Sequence, residues 1–285
     1  MIDFHVHTTA SDGQYSPKEL ILKAKEKNLT AVAITDHDSV SGLEEGEESA
    51  KTSGIRFIRG TELNIQYPTG EFHLLGLGLK ELSPALKTLL ENLQNNRSER
   101  NRSMFEKLQE LFPSLSWEEL EADFPETSLG RPHFARYLVK KGIVNNNQVA
   151  FDKYLGKGRL CYVPRTGANL DEAVVAINES GGVPVIAHPM SLFVSWGKLP
   201  EVLEDFYERG VMGLEAFHPG ARNSECFRLN ELGRKIGYFI TGASDFHGEK
   251  IRKDRKLGHT CGGRKIDSKL IPEAEDLVER LKVNW

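Results

Sequence analysis

Long apolar runs are missing from this chain. No stretch approaches membrane-spanning length, and the start, Met1-Ile2-Asp3-Phe4-His5, has neither a basic leader nor a small-residue cleavage site. A cytoplasmic protein without a membrane partner is expected. Cysteine is scarce: Cys161, Cys226 and Cys261 are odd in number, far apart and form no C-x-x-C pair, so neither a disulfide framework nor a thiolate zinc site is suggested. They read as packing residues. Positive charge is not in excess either. With 37 Lys and Arg against 41 Asp and Glu the net charge is −4, so the bulk surface does not attract nucleic acid and no stable duplex binding is expected. A phosphate-bearing ligand has to be held by local charge, which bound divalent cations can supply. Internal repeats and low-complexity tracts are absent too. What is present, 285 residues of which 39% are apolar and 27% charged, suffices for one large α/β domain or a barrel carrying an insertion.

Short β-type runs recur at residues 2–7, 31–37, 56–62, 72–77, 183–188, 213–218 and 238–245, each with a metal-ligand residue type at or next to one end. Helical patterns fall between most of them. Ser16-Pro17-Lys18-Glu19 offers an N-cap, a proline at the first helical position and an acid in the first turn. Residues 170–179, 199–209, 224–236 and 272–282 carry apolar side chains three and four apart, as helices packed on a sheet do. Strand and helix thus alternate as in a parallel α/β fold. The alternation breaks over 83–164, which is helical in pattern without a convincing strand. We expect a helical domain at 83–164 inserted into a barrel made of 1–82 and 165–285. Within it, 86–111 reads as one long helix or two, Ser128 offers a cap for a helix through Phe134, Tyr137 and Leu138, and Asn145-Asn146-Asn147 marks a turn before a further short helix.

Seven of the nine histidines, His5, His7, His37, His73, His188, His218 and His247, stand at or just beyond the ends of these strands. In Asp3-Phe4-His5-Val6-His7, period-two alternation puts Asp3, His5 and His7 on one face, so both imidazoles can point at one ion. Acids occupy equivalent places: Asp12 after the first strand, Asp36 and Asp38 flanking His37, Glu62, and Asp245 two residues before His247. A parallel barrel gathers such residues at its C-terminal rim. Imidazole and carboxylate mixtures suit zinc, manganese or iron, and Glu62 can bridge two ions. A polar barrel mouth of satisfied histidines is the alternative. His259, preceded by Leu257-Gly258, is expected to pack rather than to bind.

These motifs resemble the PHP (polymerase and histidinol phosphatase) phosphoesterases: His5-Val6-His7 with Ser11-Asp12-Gly13, Thr35-Asp36-His37-Asp38, Gly60-Thr61-Glu62, His73-Leu74-Leu75-Gly76, Ala187-His188-Pro189 and Ser244-Asp245-Phe246-His247-Gly248. The helical insertion, Gly130-Arg131-Pro132-His133 and Glu215-Ala216-Phe217-His218 are similar to the branch containing 3′,5′-nucleotide bisphosphate phosphatases and 5′-to-3′ exoribonucleases. The resemblance implies a distorted (β/α)7 TIM-like barrel with a helical cap, and two or three divalent ions, manganese favoured over zinc or iron. It implies one ion on His5, His7, Glu62 and Asp245, a second on Glu62, His73 and His188, and a third on Asp12, His37 and His247.

The expected catalytic residues are Glu62, His218 and Asp36, with Asp36 and Asp38 orienting His37 or nearby groups. His218 is assigned to phosphate binding or proton transfer, with a structural hydrogen bond as the alternative. Arg131 and His133 are expected to hold a second phosphate, because a planar guanidinium forks onto phosphate oxygens; the alternative for Arg131 is a helix cap or salt bridge. Arg97, Arg100 and Arg102 are candidates for the substrate or a solvated helix face. The expected partner is a nucleotide or short oligonucleotide. The expected reaction is metal-activated hydroxide attack that removes the 3′-phosphate of a nucleoside 3′,5′-bisphosphate such as 3′-phosphoadenosine 5′-phosphate, with trimming of short RNA from the 5′ end as an accompanying activity. Another small monoester such as histidinol phosphate, or a non-catalytic metal-binding regulator, is the alternative. No side-chain nucleophile is required. A nucleic-acid-binding module would carry more basic and aromatic surface and fewer metal ligands than this chain does.

Overall fold

A computed structural model describes residues 1–124 and 129–284. The chain forms two compact units, one of Met1–Leu90 with the chain from Gly167 onward, the other Glu91–Thr166. The first unit is built on seven strands, β1 (Ile2–Val6), β2 (Ala31–Ile34), β3 (Arg56–Ile65), β4 (Phe72–Leu77), β5 (Val183–Ile186), β6 (Gly213–Phe217) and β7 (Phe239–Gly242), paired in sequence order. Loop contacts bring the last strand round to the first. His7 N donates to Phe246 O at 2.9 Å and Asp245 N donates to His5 O at 3.1 Å. The sheet is therefore a nearly closed barrel.

One strand departs from the all-parallel expectation. No helix separates β3 from β4, and β4 runs antiparallel to both β3 and β5. β3 is long enough to serve two partners: residues 56–59 pair with β2 and 60–65 with β4. His73 stands near the start of β4. Because that strand is reversed, its beginning lies beside the C-terminal ends of its neighbours.

The strands are buried on both faces, as barrel strands covered by helices must be. α1 (Pro17–Glu26) starts at Ser16 with the full capping box and buries Leu20, Ile21 and Ala24. α7 (Leu170–Glu179), α8 (Leu199–Glu208), α9 (Asn223–Ile236) and α10 (Ala274–Leu281) lie where apolar spacing placed them. α2 (Leu43–Ser53) escaped that reading. Its sequence, LEEGEESAKTS, has one large apolar residue and an internal glycine, so it carries almost no amphipathic signal. The helix is held by its neighbours: Gly46 lies so close to Ile34 and Phe57 that a Cβ would stand 2.7 Å from the Ile34 side chain.

The second unit contains no strand among the described residues. It receives the C-terminal part of α3 (Pro84–Leu111), a single helix rather than two, and adds α4 (Trp117–Asp123), α5 (Arg131–Lys140) and α6 (Asn147–Ala150), which runs into a π-type turn at Phe151–Leu155. Met104, Phe105, Leu108, Leu120, Phe134 and Leu138 form its core. Ser128 lies outside the described residues, and α5 begins after Gly130, whose N–H donates to His133 Nδ1 at 2.9 Å. Asn146 caps α6 through its side chain. All three cysteines are free and buried, and the Cys226 thiol donates to His218 O at 3.6 Å.

Gly213 begins β6 where Phe239 and Val185 close over it, so a Cβ there would stand 2.6 Å from the Phe239 ring and 2.7 Å from a Val185 methyl. Gly213→Ala is expected to destabilise the protein by about 1–3 kcal/mol through overpacking. A denaturant midpoint equal to wild type would show that the barrel wall yields at this point.

Candidate metal centre

Strand ends set the positions of the polar side chains at the barrel rim. Alternation on β1 points His5 and His7 to the same side, and both are fully buried. Beyond β2 the chain is strapped to β3, with Glu62 N donating to Asp36 O (3.1 Å) and Asp38 N donating to Glu62 O (2.9 Å). His37 is thereby set opposite Glu62. Three non-glycine residues at this rim, Asp38 (φ 49°), His188 (φ 28°) and Asp245 (φ 50°), adopt positive φ. Such backbone is strained for residues with a side chain, and here it aims His188 and Asp245 inward.

Glu62 is the meeting point. Its carboxylate, 1% exposed, lies 2.7 Å from His73 Nδ1, 2.9 Å from His188 Nε2, 2.9 Å from His37 Nδ1, 3.2 Å from His5 Nε2 and 3.3 Å from His7 Nε2. Asp245 Oδ1 lies 3.5 Å from His7 Nε2, and Asp12 Oδ1 lies 3.3 Å from His247 Nε2. All nine ligands expected from the sequence are thus brought to one rim. Their grouping is less partitioned than expected. Ligand atoms of His7, Asp12, His37 and His247 lie within 4.8 Å of one another, as do those of His5, His7 and Asp245, and those of His37, Glu62 and His73. His7 and His37 each belong to two groups.

The donor set fits divalent cations. Glu62 Oε2 and His7 Nδ1 are buried without a hydrogen-bond partner, and His5 Nε2 faces His7 Nε2 at 3.0 Å. Imidazole lone pairs aimed at each other and at one carboxylate, away from water, are satisfied by cations placed among them. In their absence protons do that work. Burial pushes His7 down, but Asp245 and Glu62 outweigh it and raise its pKa to about 9. At His37 burial wins, and the pKa falls to about 4. Burial pushes Glu62 up, yet His37, His5 and His73 hold it well below the usual carboxylate range. Ion binding has to displace the protons on such imidazoles, which couples metal affinity to pH.

Several buried groups hold the ligands without joining the cluster. Asp36, 1% exposed, accepts hydrogen bonds from Thr8 N (2.7 Å), Thr8 Oγ1 (2.6 Å) and Ser11 Oγ (2.5 Å). It therefore shapes the turn that presents Asp12. Asp38 Oδ1 accepts from Asn64 N at 2.9 Å, on β3 beyond Glu62. Asp3 ties β1 to the closing loop by accepting from Ser244 N (3.0 Å) and Gly258 N (2.7 Å). Glu215 was not among the expected site residues. It is fully buried, with Oε2 2.9 Å from His5 Nδ1 and Oε1 accepting His188 N at 3.0 Å, so one carboxylate orients ligands from two strands. A lone acid in the apolar strand Gly213-Leu214-Glu215-Ala216-Phe217 is the signal that marks it.

His218 Nδ1 accepts the Gly220 N–H at 3.0 Å, which leaves the proton of the neutral ring on Nε2, 3.3 Å from Asp245 Oδ2. Two arginines missed in the sequence approach the same oxygen: Arg252 Nη1 at 3.1 Å and Arg255 Nε at 3.9 Å. The basic run Lys250 to Lys256 directly after Ser244-Asp245-Phe246-His247 is the signal for them. His259 stands apart, its Nδ1 3.0 Å from Leu257 O.

The remaining candidates lie in the second unit. Arg97 and Arg100 are 5% and 6% exposed, so neither is on a solvated helix face. Arg97 Nε donates to Leu129 O (3.0 Å) and Arg100 Nε to Val163 O (2.9 Å). Arg102 is exposed and stacks on Trp117. Arg131 opens α5 with its guanidinium over the Tyr162 ring, and His133 receives the Gly130 N–H. Burial first, then Arg165, Arg131 and Arg97, lower the Arg100 pKa to about 9, so those three guanidiniums are close enough to Arg100 to repel it.

Among known proteins, residues 3–156 match the family model described as the PHP domain. A Chromobacterium violaceum 3′,5′-nucleoside bisphosphate phosphatase is 32% identical over 91% of this chain and 91% of its own length. A Haemophilus influenzae 5′-3′ exoribonuclease is 31% identical over 86% of this chain and 89% of its own. A solved Bifidobacterium adolescentis structure, described as a candidate metal-dependent phosphoesterase, superposes with a TM-score of 0.84 at 28% identity, covering 98% of this chain and 96% of that one. The family match covers more than half the chain and both relatives align over most of it, so this chain belongs to the PHP-domain family and is a hydrolase of phosphoesters.

Proposed function

We propose that the protein removes the 3′-phosphate from nucleoside 3′,5′-bisphosphates. The observation that carries this reading is the guanidinium cluster of Arg97, Arg100, Arg131 and Arg165, in which burial first and then repulsion from the other three depress Arg100. A nucleoside bisphosphate has one phosphate to be cleaved and a second that needs its own cations, and forked guanidiniums suit a phosphate dianion. The similarity to a bisphosphate phosphatase supports the same choice. Arg131, His133, Arg97 and Arg100 are assigned to the second phosphate. In a chain of net charge −4 that phosphate gains little from long-range attraction and depends on this local charge.

His5, His7, Asp12, His37, Glu62, His73, His188, Asp245 and His247 would hold the divalent ions, with manganese the expected metal, which would supply acidified water and charge to offset that developing on the phosphoryl oxygens. The chain's own residues fix the arrangement. Glu62 joins the groups of ligands, Glu215 holds His5 and His188 in orientation, and Asp36 keeps the turn before Asp12 in shape. His218 offers its Nε2–H to the leaving oxygen or a phosphoryl oxygen. No serine or cysteine is required as nucleophile.

Reconstituted protein is expected to hold two or three divalent ions per chain. Glu62→Gln should release more metal and more activity than replacing His73, since Glu62 meets five imidazoles. Elemental analysis below one ion per chain would remove the metal centre from the mechanism. Glu215→Gln keeps the shape but loses the charge behind His5, and metal affinity is expected to fall about 10- to 100-fold. A competition titration with a chelating dye that returns the wild-type affinity would mean that Glu215 only fills space.

Substrate choice is tested by phosphate release from a panel of a nucleoside 3′,5′-bisphosphate, a short RNA, histidinol phosphate and an aryl phosphate. Arg131→Ala is expected to raise KM for the bisphosphate about thirtyfold, corresponding to about 2 kcal/mol for a charge-assisted contact made in ground and transition states alike. The aryl phosphate, having no second phosphate, should be unaffected. Equal losses on both would assign Arg131 to the fold.

A further inference from the structure

Arg255 is a buried cation whose charge the protein answers incompletely. The side chain is 6% exposed, and its Nε–H has no hydrogen-bond partner. Its nearest carboxylates are Asp254, 3.4 Å from Nη1 but 64% exposed, and Asp245, whose Oδ2 is 3.9 Å from Nε. Asp245 Oδ2 is already shared between Arg252 Nη1 at 3.1 Å and His218 Nε2 at 3.3 Å. Burial and the neighbouring Arg252 together push the Arg255 guanidinium below its usual range.

The other oxygen of Asp245 decides what this imbalance is for. Oδ1 faces the ligand cluster, 3.5 Å from His7 Nε2 and 3.8 Å from His5 Nε2. A carboxylate that ligates a divalent ion gives much of its charge to that ion. Glu215 is engaged with His5 and His188. With the cluster loaded, Arg252 and Arg255 therefore stand beside ions with only an exposed aspartate to balance them. Two guanidiniums, an unpaired Nε–H and the His218 Nε2–H then converge on one side of Asp245, an arrangement that calls for a small anion with several oxygens.

We propose that Arg252 and Arg255 bind the oxygens of the phosphate undergoing hydrolysis, with Arg255 Nε and the His218 Nε2–H as adjoining donors. This rests on the phosphoester-hydrolase reading of the rim and is independent of which nucleotide is preferred. Arg252 is exposed enough to meet an incoming phosphate, whereas Arg255 is buried beside the same Asp245 oxygen. The pair serves the reacting phosphate common to all substrates, in contrast to the second-phosphate role given to Arg131.

The test is calorimetric titration of inorganic phosphate into manganese-loaded wild type, Arg252→Gln and Arg255→Gln, with metal content and melting temperature measured on the same samples. Each substitution is expected to weaken phosphate binding about tenfold or more while metal content stays at the wild-type value. In kcat/KM both should lose the same factor on an aryl phosphate and on a nucleoside bisphosphate, since both present the reacting phosphate. Wild-type phosphate affinity in both variants overturns the proposal. So does a loss of metal that accounts for the loss of phosphate, because the pair then only balances Asp245. If Arg255→Gln fails to melt cooperatively, Arg252→Gln and the charge-keeping Arg255→Lys decide by the same titration. A wild type that binds phosphate through these residues yet spares nucleoside bisphosphates would refute the nucleotide reading and leave this one standing.

Discussion

One carboxylate surrounded by five imidazoles sets the terms for the rest of this molecule. Taking Glu62 and its partners out of water costs several kcal/mol per charged group unless attraction and hydrogen bonds answer it. The five nitrogens within 3.3 Å do so only while their separations are held. His5, His7 and His37 come from the parallel part of the barrel, His73 from the reversed strand and His188 from the turn after β5. A stable answer to the Glu62 charge therefore requires the strand register itself. Loops alone would lose the geometry, because each added degree of freedom at a ligand carries an entropic cost.

The seam where the barrel closes carries the same burden. His5 and His7 belong to the first strand, Asp245 and His247 to the segment after the last. Between them run the hydrogen bonds of His7 N to Phe246 O and Asp245 N to His5 O, and Asp3 fastens Ser244 and Gly258 to β1. Closure of the sheet and assembly of the centre are thus one event. Gly13 shows how tightly the adjoining turn is drawn in, since a Cβ there would stand 2.4 Å from the His7 carbonyl oxygen. Strain at His188 and Asp245 is tolerated because each closely follows a barrel strand and is held by a hydrogen bond from its N–H, His188 to Glu215 Oε1 and Asp245 to His5 O.

What could be read from the sequence followed from period and chemistry. Strands buried on both faces with His, Asp or Glu at or next to one end announce themselves, and all seven lie where the pattern put them. The same reading could not tell that β4 is reversed, because direction depends on a six-residue connection between β3 and β4 and not on alternation within either strand. α2 was invisible because packing of Gly46 against Ile34 and Phe57 replaces amphipathic spacing. The nine candidate ligands were legible as residue types. Their supporting partners were less so: Glu215 looks like an exception in an apolar strand, and Asp36, expected to orient His37 or nearby groups, instead accepts from Thr8 and Ser11. Arg252 and Arg255 sit in a run of surface-type charges, and only the fold turns one of them inward.

The arginines also show how charge is divided in a chain that is acidic overall. Exposed guanidiniums spread over a surface of net charge −4 would be screened within about 8–10 Å and would select nothing. Here Arg255 is buried at the rim and Arg97 and Arg100 are buried in the helical unit, and burial is the largest cause that pushes Arg255 and Arg100 below the usual guanidinium range. A buried cation that destabilises the empty protein is most easily retained when an anion binds it in use, since the ligand then supplies what the fold does not. One such place lies beside the candidate metal ligands of the barrel and the other among the helices of the second unit. The first is constrained by Glu62 and the closing seam. The second can change residue by residue without disturbing either.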